Sequence, residues 1–190
     1  MNAPLDLAMD KATFLAWVQT QERRYDWVRG RAVMQQGGTR QHSTIATRFT
    51  VALVNRLDAE IWQVHGTELA VDLGDEYRFP DVMVERAGGE GKALSTEEPV
   101  VLIEVLSPSS VVTDISIKPP LYMALVSLEA YVVASQDEAR VWAWQREAEA
   151  QRRGFPKEPE MVSGLDANLA LRALGVDVPL AEIYRGLVPM

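Results

Sequence analysis

The stretch VVLIEVL, Val100 to Leu106, restricts the fold of this chain more than any other segment. Its residues are aliphatic except for one and run without alternation, the pattern of a strand covered on both faces inside a sheet. The exception is Glu104. Moving an unpartnered carboxylate out of water costs several kcal/mol, so the fold must bring Glu104 a cation, a hydrogen-bond network or a raised pKa. Alternation along a strand sets Val100, Leu102, Glu104 and Leu106 on one side and Val101, Ile103 and Val105 on the other. The carboxylate therefore has a defined facing.

A second acid sits in a comparable setting. In RFPDVMVE, residues 78 to 85, Pro80 precedes Asp81 where an apolar extended segment begins. Proline is tolerated at a strand's first residue, so Asp81 is expected where the strand starts or bends. If the two strands neighbour each other, Asp81 and Glu104 converge on one cation. The competing reading has Asp81 satisfying a turn amide and Glu104 pairing with a buried arginine.

Composition narrows the chemistry of such a cation. The chain has no cysteine, which excludes disulfides, thiolate zinc sites, iron–sulfur clusters and cysteine nucleophiles. Two histidines, His42 and His65, are too few for a histidine cage, so a metal here is expected to be hard and oxygen-seeking, magnesium or manganese. The 27 acidic against 19 basic residues give a formal charge of -8, which argues against tight, constitutive nucleic-acid binding and leaves room for a local basic cleft.

The length of 190 residues suits one domain, 1–190, with a core over about 25–187. No apolar run approaches the roughly 20 residues that cross a bilayer. The amino terminus, MNAPLDLAMDKATFLAWVQ, lacks a basic leader followed by an apolar stretch, and the expected location is the cytoplasm.

Local patterns give a mixed α/β layout. Asp10 is expected to cap a helix through about Gln19, and YDWVRGRAVMQ to form a hairpin turning at Arg29-Gly30. Ile45, Phe49, Ala52, Leu53 and Leu57 recur at helical spacing, predicting a long helix from about Gln41 to Ile61. Extended segments follow at Ile61 to Val64, Leu69 to Leu73, Phe79 to Val84 and Val100 to Leu106. A helical stretch ending near Leu125 and a hairpin through EAYVVAS and ARVWAWQ come next. After a linker-like segment, Gln151 to Pro159, an extended pair is expected at Glu160 to Ser163 and Asn168 to Leu171, and Pro179 opens a short final helix. Together these predict an open mixed sheet with helices on its faces.

The runs FPDVMV, VVLIEVLSPSS with TDISIK and a tyrosine following, SLEAYVVAS and VDVPLAEIYRGL, together with GGTRQHS before the long helix, resemble the Uma-two family of restriction endonuclease-like proteins. That family lies within the PD-(D/E)XK nuclease-like superfamily. The resemblance implies a restriction-endonuclease-like core in which Asp81, Glu104 and the carbonyl of Val105 hold magnesium or manganese, and hydrolysis of a DNA phosphodiester. It also marks His42 as a group near the metal or a substrate phosphate. The other reading of His42 is a partly buried residue at the helix start, bonded to a carbonyl.

One departure bears on activity. Leu106 stands where the superfamily motif has lysine, and the family likeness points to Lys118 as the displaced lysine that orients water or stabilises negative charge. The alternative for Lys118 is a surface helical pair with Asp114 at i, i+4. Pro119 disfavours helical geometry at Lys118, so a helix is expected to begin at Pro119, with Asp114 to Lys118 an ordered loop. Glu68 is a candidate third carboxylate or a solvent-facing residue, and His65 reads as a loop residue. Trp142 and Trp144 form a stripe for the core or for a subunit contact in a homodimer. Three functions are thus open: a magnesium-dependent DNA nuclease, a catalytically silent nuclease-fold interaction module, and a hydrolase of another phosphate ester.

Overall fold

The computed structural model describes residues 6–35, 37–107, 113–147 and 154–187. The first half of the chain builds β1 (Asp6–Ala8), α1 (Lys11–Val18), the hairpin β2 (Tyr25–Val28) and β3 (Arg31–Met34), and the long helix α2 (Arg40–Val54). Short strands follow: β4 (Trp62–His65), β5 (Ala70–Asp72), β6 (Glu76–Arg78), β7 (Val82–Arg86) and β8 (Ser95–Thr96). Then come β9 (Pro99–Val105), a π-helical turn (Thr113–Ile117), α3 (Lys118–Tyr122), β10 (Ala130–Ala134) and β11 (Arg140–Gln145). The chain closes with β12 (Glu160–Ser163), β13 (Asn168–Leu171), β14 (Val176–Pro179) and α4 (Leu180–Tyr184).

The fold is mixed α and β, as the sequence predicts. Its central sheet runs β12-β11-β10-β9-β7-β4, with β9 and β10 parallel and the other neighbours antiparallel. A second sheet, β1-β3-β2-β6-β5-β8, and the ribbon β13-β14 complete the strand pairing. The aliphatic run of β9 is in the middle of the central sheet because both its faces are covered. On one face Val101, Ile103 and Val105 pack with Val82, Val84, Val132 and Val141 beneath Ile45, Phe49 and Leu53 of α2, with Leu180, Ile183 and Tyr184 of α4 in the same core. On the other face Leu102, Met83, Tyr131, Val133 and Trp144 pack with Val71 of the second sheet and with Tyr122 of α3. Glu104 shares that second face.

Several boundaries depart from expectation. Asp10 caps α1 by accepting from Thr13 N at 2.8 Å, as predicted. The long helix stops at Val54 rather than near Ile61; Leu57 still packs against the core, but from the turns that follow, with Ile61 N and Trp62 N bonded to Asp58 O. The segments at Glu160–Ser163 and Asn168–Leu171 are both extended but do not pair with each other. β12 joins β11, and β13 pairs with β14, a strand the sequence reading did not isolate. Asp114 to Lys118 is not a loop: a π-helical turn leads into α3, with proline in that helix's first turn, where a missing amide donor is harmless. Pro108 to Val112, the second half of the VVLIEVLSPSS motif and its continuation, and Gln151 to Arg153 of the linker-like segment lie outside the described residues.

Candidate active site

The register between β7 and β9 sets the two acids together. Val82 pairs with Ile103 and Met83 with Leu102 in an antiparallel ladder, so one step further back puts Asp81 opposite Glu104. Asp81 lies immediately before β7, and its Oδ2 accepts a hydrogen bond of 2.8 Å from Val105 N, which fixes it against the end of β9. Asp81 thus stands at the Glu104 end of β9, close enough for its charge to act on Glu104.

Glu104 is 4% exposed and has acquired the partners its burial demands. Its Oε1 accepts from Lys118 Nζ at 2.7 Å and from the Tyr122 hydroxyl at 3.2 Å, so α3 supplies both donors. Lys118, not an arginine, is the buried cation. Burial pushes the Glu104 carboxyl up to about 8; the Lys118 ammonium pulls it down, and the Asp114 and Asp81 carboxylates push it further up. Burial opposes the charge on Lys118, but Glu104 and Asp114 outweigh it and hold the ammonium protonated.

Asp114 also belongs to this cluster, with Oδ1 2.9 Å from Lys118 Nζ. The i, i+4 spacing is real, but the pair is buried between the π-helical turn and the sheet, so the surface reading of it is wrong. The sequence reading undervalued Asp114. The signal available was its place beside a lysine already assigned to the site, four residues away on a helical turn.

His42 occupies the first turn of α2 and its Nε2 lies 3.1 Å from Asp81 Oδ2. It also bonds to the backbone of Val105, so the carbonyl partner expected for a helix-start histidine is present, and the contact with Asp81 goes beyond that reading. Burial works against the imidazolium, but the bond to Asp81 and its charge, the backbone of Val105 and the Asp114 charge together overcome it, raising His42 above 6.5. GGTRQHS explains how the ring gets there. Thr39 accepts from His42 N as helix cap and donates to Gln136 Oε1 at 2.6 Å; a Cβ on Gly38 would stand 2.8 Å from His42 Nδ1. Only glycine leaves room for the ring in this position.

The remaining candidates are elsewhere. Glu68 has a side chain 92% exposed and a loose pair with Arg24, so it faces solvent. His65 is not in a loop; it ends β4, with Nε2 3.0 Å from Glu85 Oε1. Leu106 is buried in the apolar cluster under Glu104's face, and Trp144 is in the same cluster with Trp142 against it, which is the core reading of that stripe. A groove of about 470 Å³ beside α3, lined by Ile115, Pro119, Met123, Trp144 and Arg146 among others, has no acidic residue in its lining among the described residues. Among the described residues no three His, Asp or Glu side chains form a ready metal cage, and no helix is long and apolar enough to cross a membrane.

Comparison with known proteins gives three likenesses. The family model Uma2, described as "Putative restriction endonuclease", matches residues 12–175. An uncharacterized protein of Synechocystis sp., slr1290, is 24% identical over 179 residues, covering 92% of this chain and 90% of its own. The crystal structure of a protein from Anabaena variabilis, titled a putative nuclease belonging to DUF820, superposes with a TM-score of 0.69 at 16% identity, over 86% of this chain and 91% of that one. At that identity the superposition establishes a shared fold.

Proposed function

The chain belongs to the Uma2 family, and from that membership we propose that it is a magnesium-dependent nuclease hydrolysing DNA phosphodiester bonds. The observation that carries the proposal is the approach of Asp81, held on Val105 N at the end of β9, to Glu104, which has a buried ammonium at hydrogen-bond distance.

The donor set fits a hard divalent cation. Once Glu104 gives up its proton, Asp81, Glu104 and Asp114 set three carboxylates against the one ammonium of Lys118, with His42 adding positive charge only when protonated. That leaves a buried negative excess which oxygen-seeking magnesium or manganese would offset. Two carboxylates and a backbone carbonyl, completed by water and substrate phosphate, suit magnesium, which does not need an all-protein cage. Asp81, Glu104 and the Val105 carbonyl are the proposed ligands. When bound, the cation would acidify a water and polarise the phosphoryl oxygen.

The chain's own groups do the rest. Lys118 keeps a positive charge in a dry site, where it orients the attacking water or stabilises charge developing on phosphate. Tyr122 restrains Glu104 through its hydroxyl. His42 holds the Asp81 oxygen that also accepts from Val105 N, and offers an imidazole near the reacting phosphate. Leu106 at the motif's lysine position does not by itself silence the site, because Lys118 reaches the same glutamate from α3.

Calorimetric titration of Mg2+ or Mn2+ into wild type and Asp81→Ala is the direct test. Wild type should bind and the variant should not; equal heats in the two would overturn the metal site. In a DNA cleavage assay Glu104→Ala should abolish a metal-dependent cut, and Lys118→Ala should lower turnover strongly. A cut that survives Glu104→Ala would reject the assignment.

A further inference from the structure

Asp114 is 2% exposed, deeper than Glu104, yet its Oδ1 has no hydrogen-bond donor. Lys118 Nζ lies 2.9 Å from it but is aligned on Glu104 Oε1 instead, at 2.7 Å. One ammonium therefore sits between two buried carboxylates and satisfies one of them. A buried acceptor oxygen left without a donor is unfavourable, and native structures retain such atoms rarely.

The surroundings hold Asp114 in that position. The π-helical turn that carries it is a rare geometry concentrated at functional sites. Its carbonyl accepts from the Tyr131 hydroxyl at 2.8 Å, which ties the turn to the sheet face beside β9. The side chain is thus presented to Lys118 without completing a hydrogen bond to it.

We propose that Asp114 is a positioning residue that receives Lys118 when a divalent cation takes Glu104. This rests on the metal-dependent reading above. The ammonium gives up its hydrogen bond to Glu104 Oε1, aligns on Asp114 Oδ1 and stays charged within the site. Lysine has three donors, so two remain for water and phosphate after one is given to Asp114. For Lys118 the exchange breaks and forms hydrogen bonds only, and the ammonium keeps its charge; a proton on Glu104 passes to solvent as the cation takes the carboxylate. Without the Asp114 carboxylate, Lys118 has no second buried anion to move to, so it stays on Glu104 and competes with the cation.

A double-mutant cycle on Mn2+ affinity, measured by calorimetry without DNA, tests this with wild type, Asp114→Asn, Lys118→Met and the double variant. Asp114→Asn should weaken Mn2+ binding about tenfold in the wild-type background and less than about twofold when Lys118 is already methionine, because the competitor is gone. An equal loss in both backgrounds would overturn the handover, since a direct ligand, a through-space charge or a folding role would each act without Lys118. Absence of Mn2+ binding by wild type would instead sink the metal reading, and this proposal with it. If Asp114→Asn does not fold, wild type labelled with 15N-lysine keeps the question decidable. Mg2+ should shift the buried Lys118 ammonium resonance, and a resonance that stays in place while Mg2+ binds would overturn the proposal.

Discussion

Glu104 has the most consequential titration in the molecule. Its folded pKa of about 8 lies above the ordinary 4.5, so the folded state takes up the proton more readily than the unfolded chain. Its contribution to stability is full below about 4.5 and lost as pH rises to about 8. Metal-free wild type should therefore lose melting temperature relative to Glu104→Gln between pH 5 and 9. Thermal denaturation of the pair checks this, and a constant difference would contradict it. A cation on the carboxylate must displace that proton, so Mg2+ affinity should climb about tenfold per pH unit up to about 8 and then level off, as calorimetry would read. His42 moves the same way: its raised pKa adds stability at low pH that is lost as pH rises through the folded value. In Gly38→Ala the new Cβ displaces the ring from Asp81, and the His42 midpoint followed by proton NMR should fall toward 6.5. Asp81 and Glu104 were legible because strand alternation and the placement of Pro80 are local signals. That His42 contacts Asp81, 39 residues away in sequence, depends on a tertiary approach which no periodicity encodes.

At the scale of elements, the hairpins and the central strand could be read directly, while the ends of helices and the partners of short strands could not. Leu57 keeps the helical spacing of α2, but Asn55 to Ile61 turns away to deliver β4 to the sheet edge beside β7. The apolar period therefore runs past the last helical residue. β12 and β13 are both extended, and their amphipathic patterns are equally consistent with pairing to each other or to the strands they actually join. The π-helical turn before α3 has no sequence signature beyond the prolines that fix where the α-helix begins. The N-terminus of α2 is where local sequence and tertiary contact coincide: Thr39 caps the helix, reaches Gln136, and Gln41 bonds Gln136 O and Leu187 O. Thr39→Ala removes the cap and the cross-link together. It should cost about 1–2 kcal/mol for the cap, somewhat more with the lost link to Gln136, as a lower midpoint in urea denaturation. A midpoint unchanged from wild type would mean that water replaces both bonds.

At the scale of the molecule, a buried charge cluster in the second sheet lies just before the segment that leads to the site. Arg78, at the end of β6, donates from Nε and Nη2 to Glu76 Oε2 at 2.8 and 2.6 Å, and from Nη1 to Asp26 Oδ2 at 3.0 Å. Asp26 Oδ1 in turn accepts from Gln35 Nε2 at 2.8 Å and from Phe79 N at 3.3 Å. The second sheet thus holds Arg78 and Phe79 in the segment that leads through Pro80 to Asp81 in the central sheet. The cluster explains how a chain with a formal charge of -8 buries acids on both sides of one connection: each group of carboxylates has a buried cation, Arg78 in the second sheet and Lys118 on α3, with the exposed Arg29 also within 3.7 Å of Glu76. Replacing Arg78 by methionine keeps much of the volume, strands Asp26 without its cation and leaves Glu76 only the looser pair with Arg29 at 3.7 Å. A buried pair broken on one side costs about 3–5 kcal/mol, so Arg78→Met should denature at a markedly lower urea concentration. Where the variant remains folded, Asp26 also loses the charge that aligned it on Phe79 N, and Mn2+ affinity should fall through looser placement of Asp81. Stability lost with metal affinity intact would mean that Val105 N alone fixes Asp81, and that the two sheets are coupled in folding but not in the site.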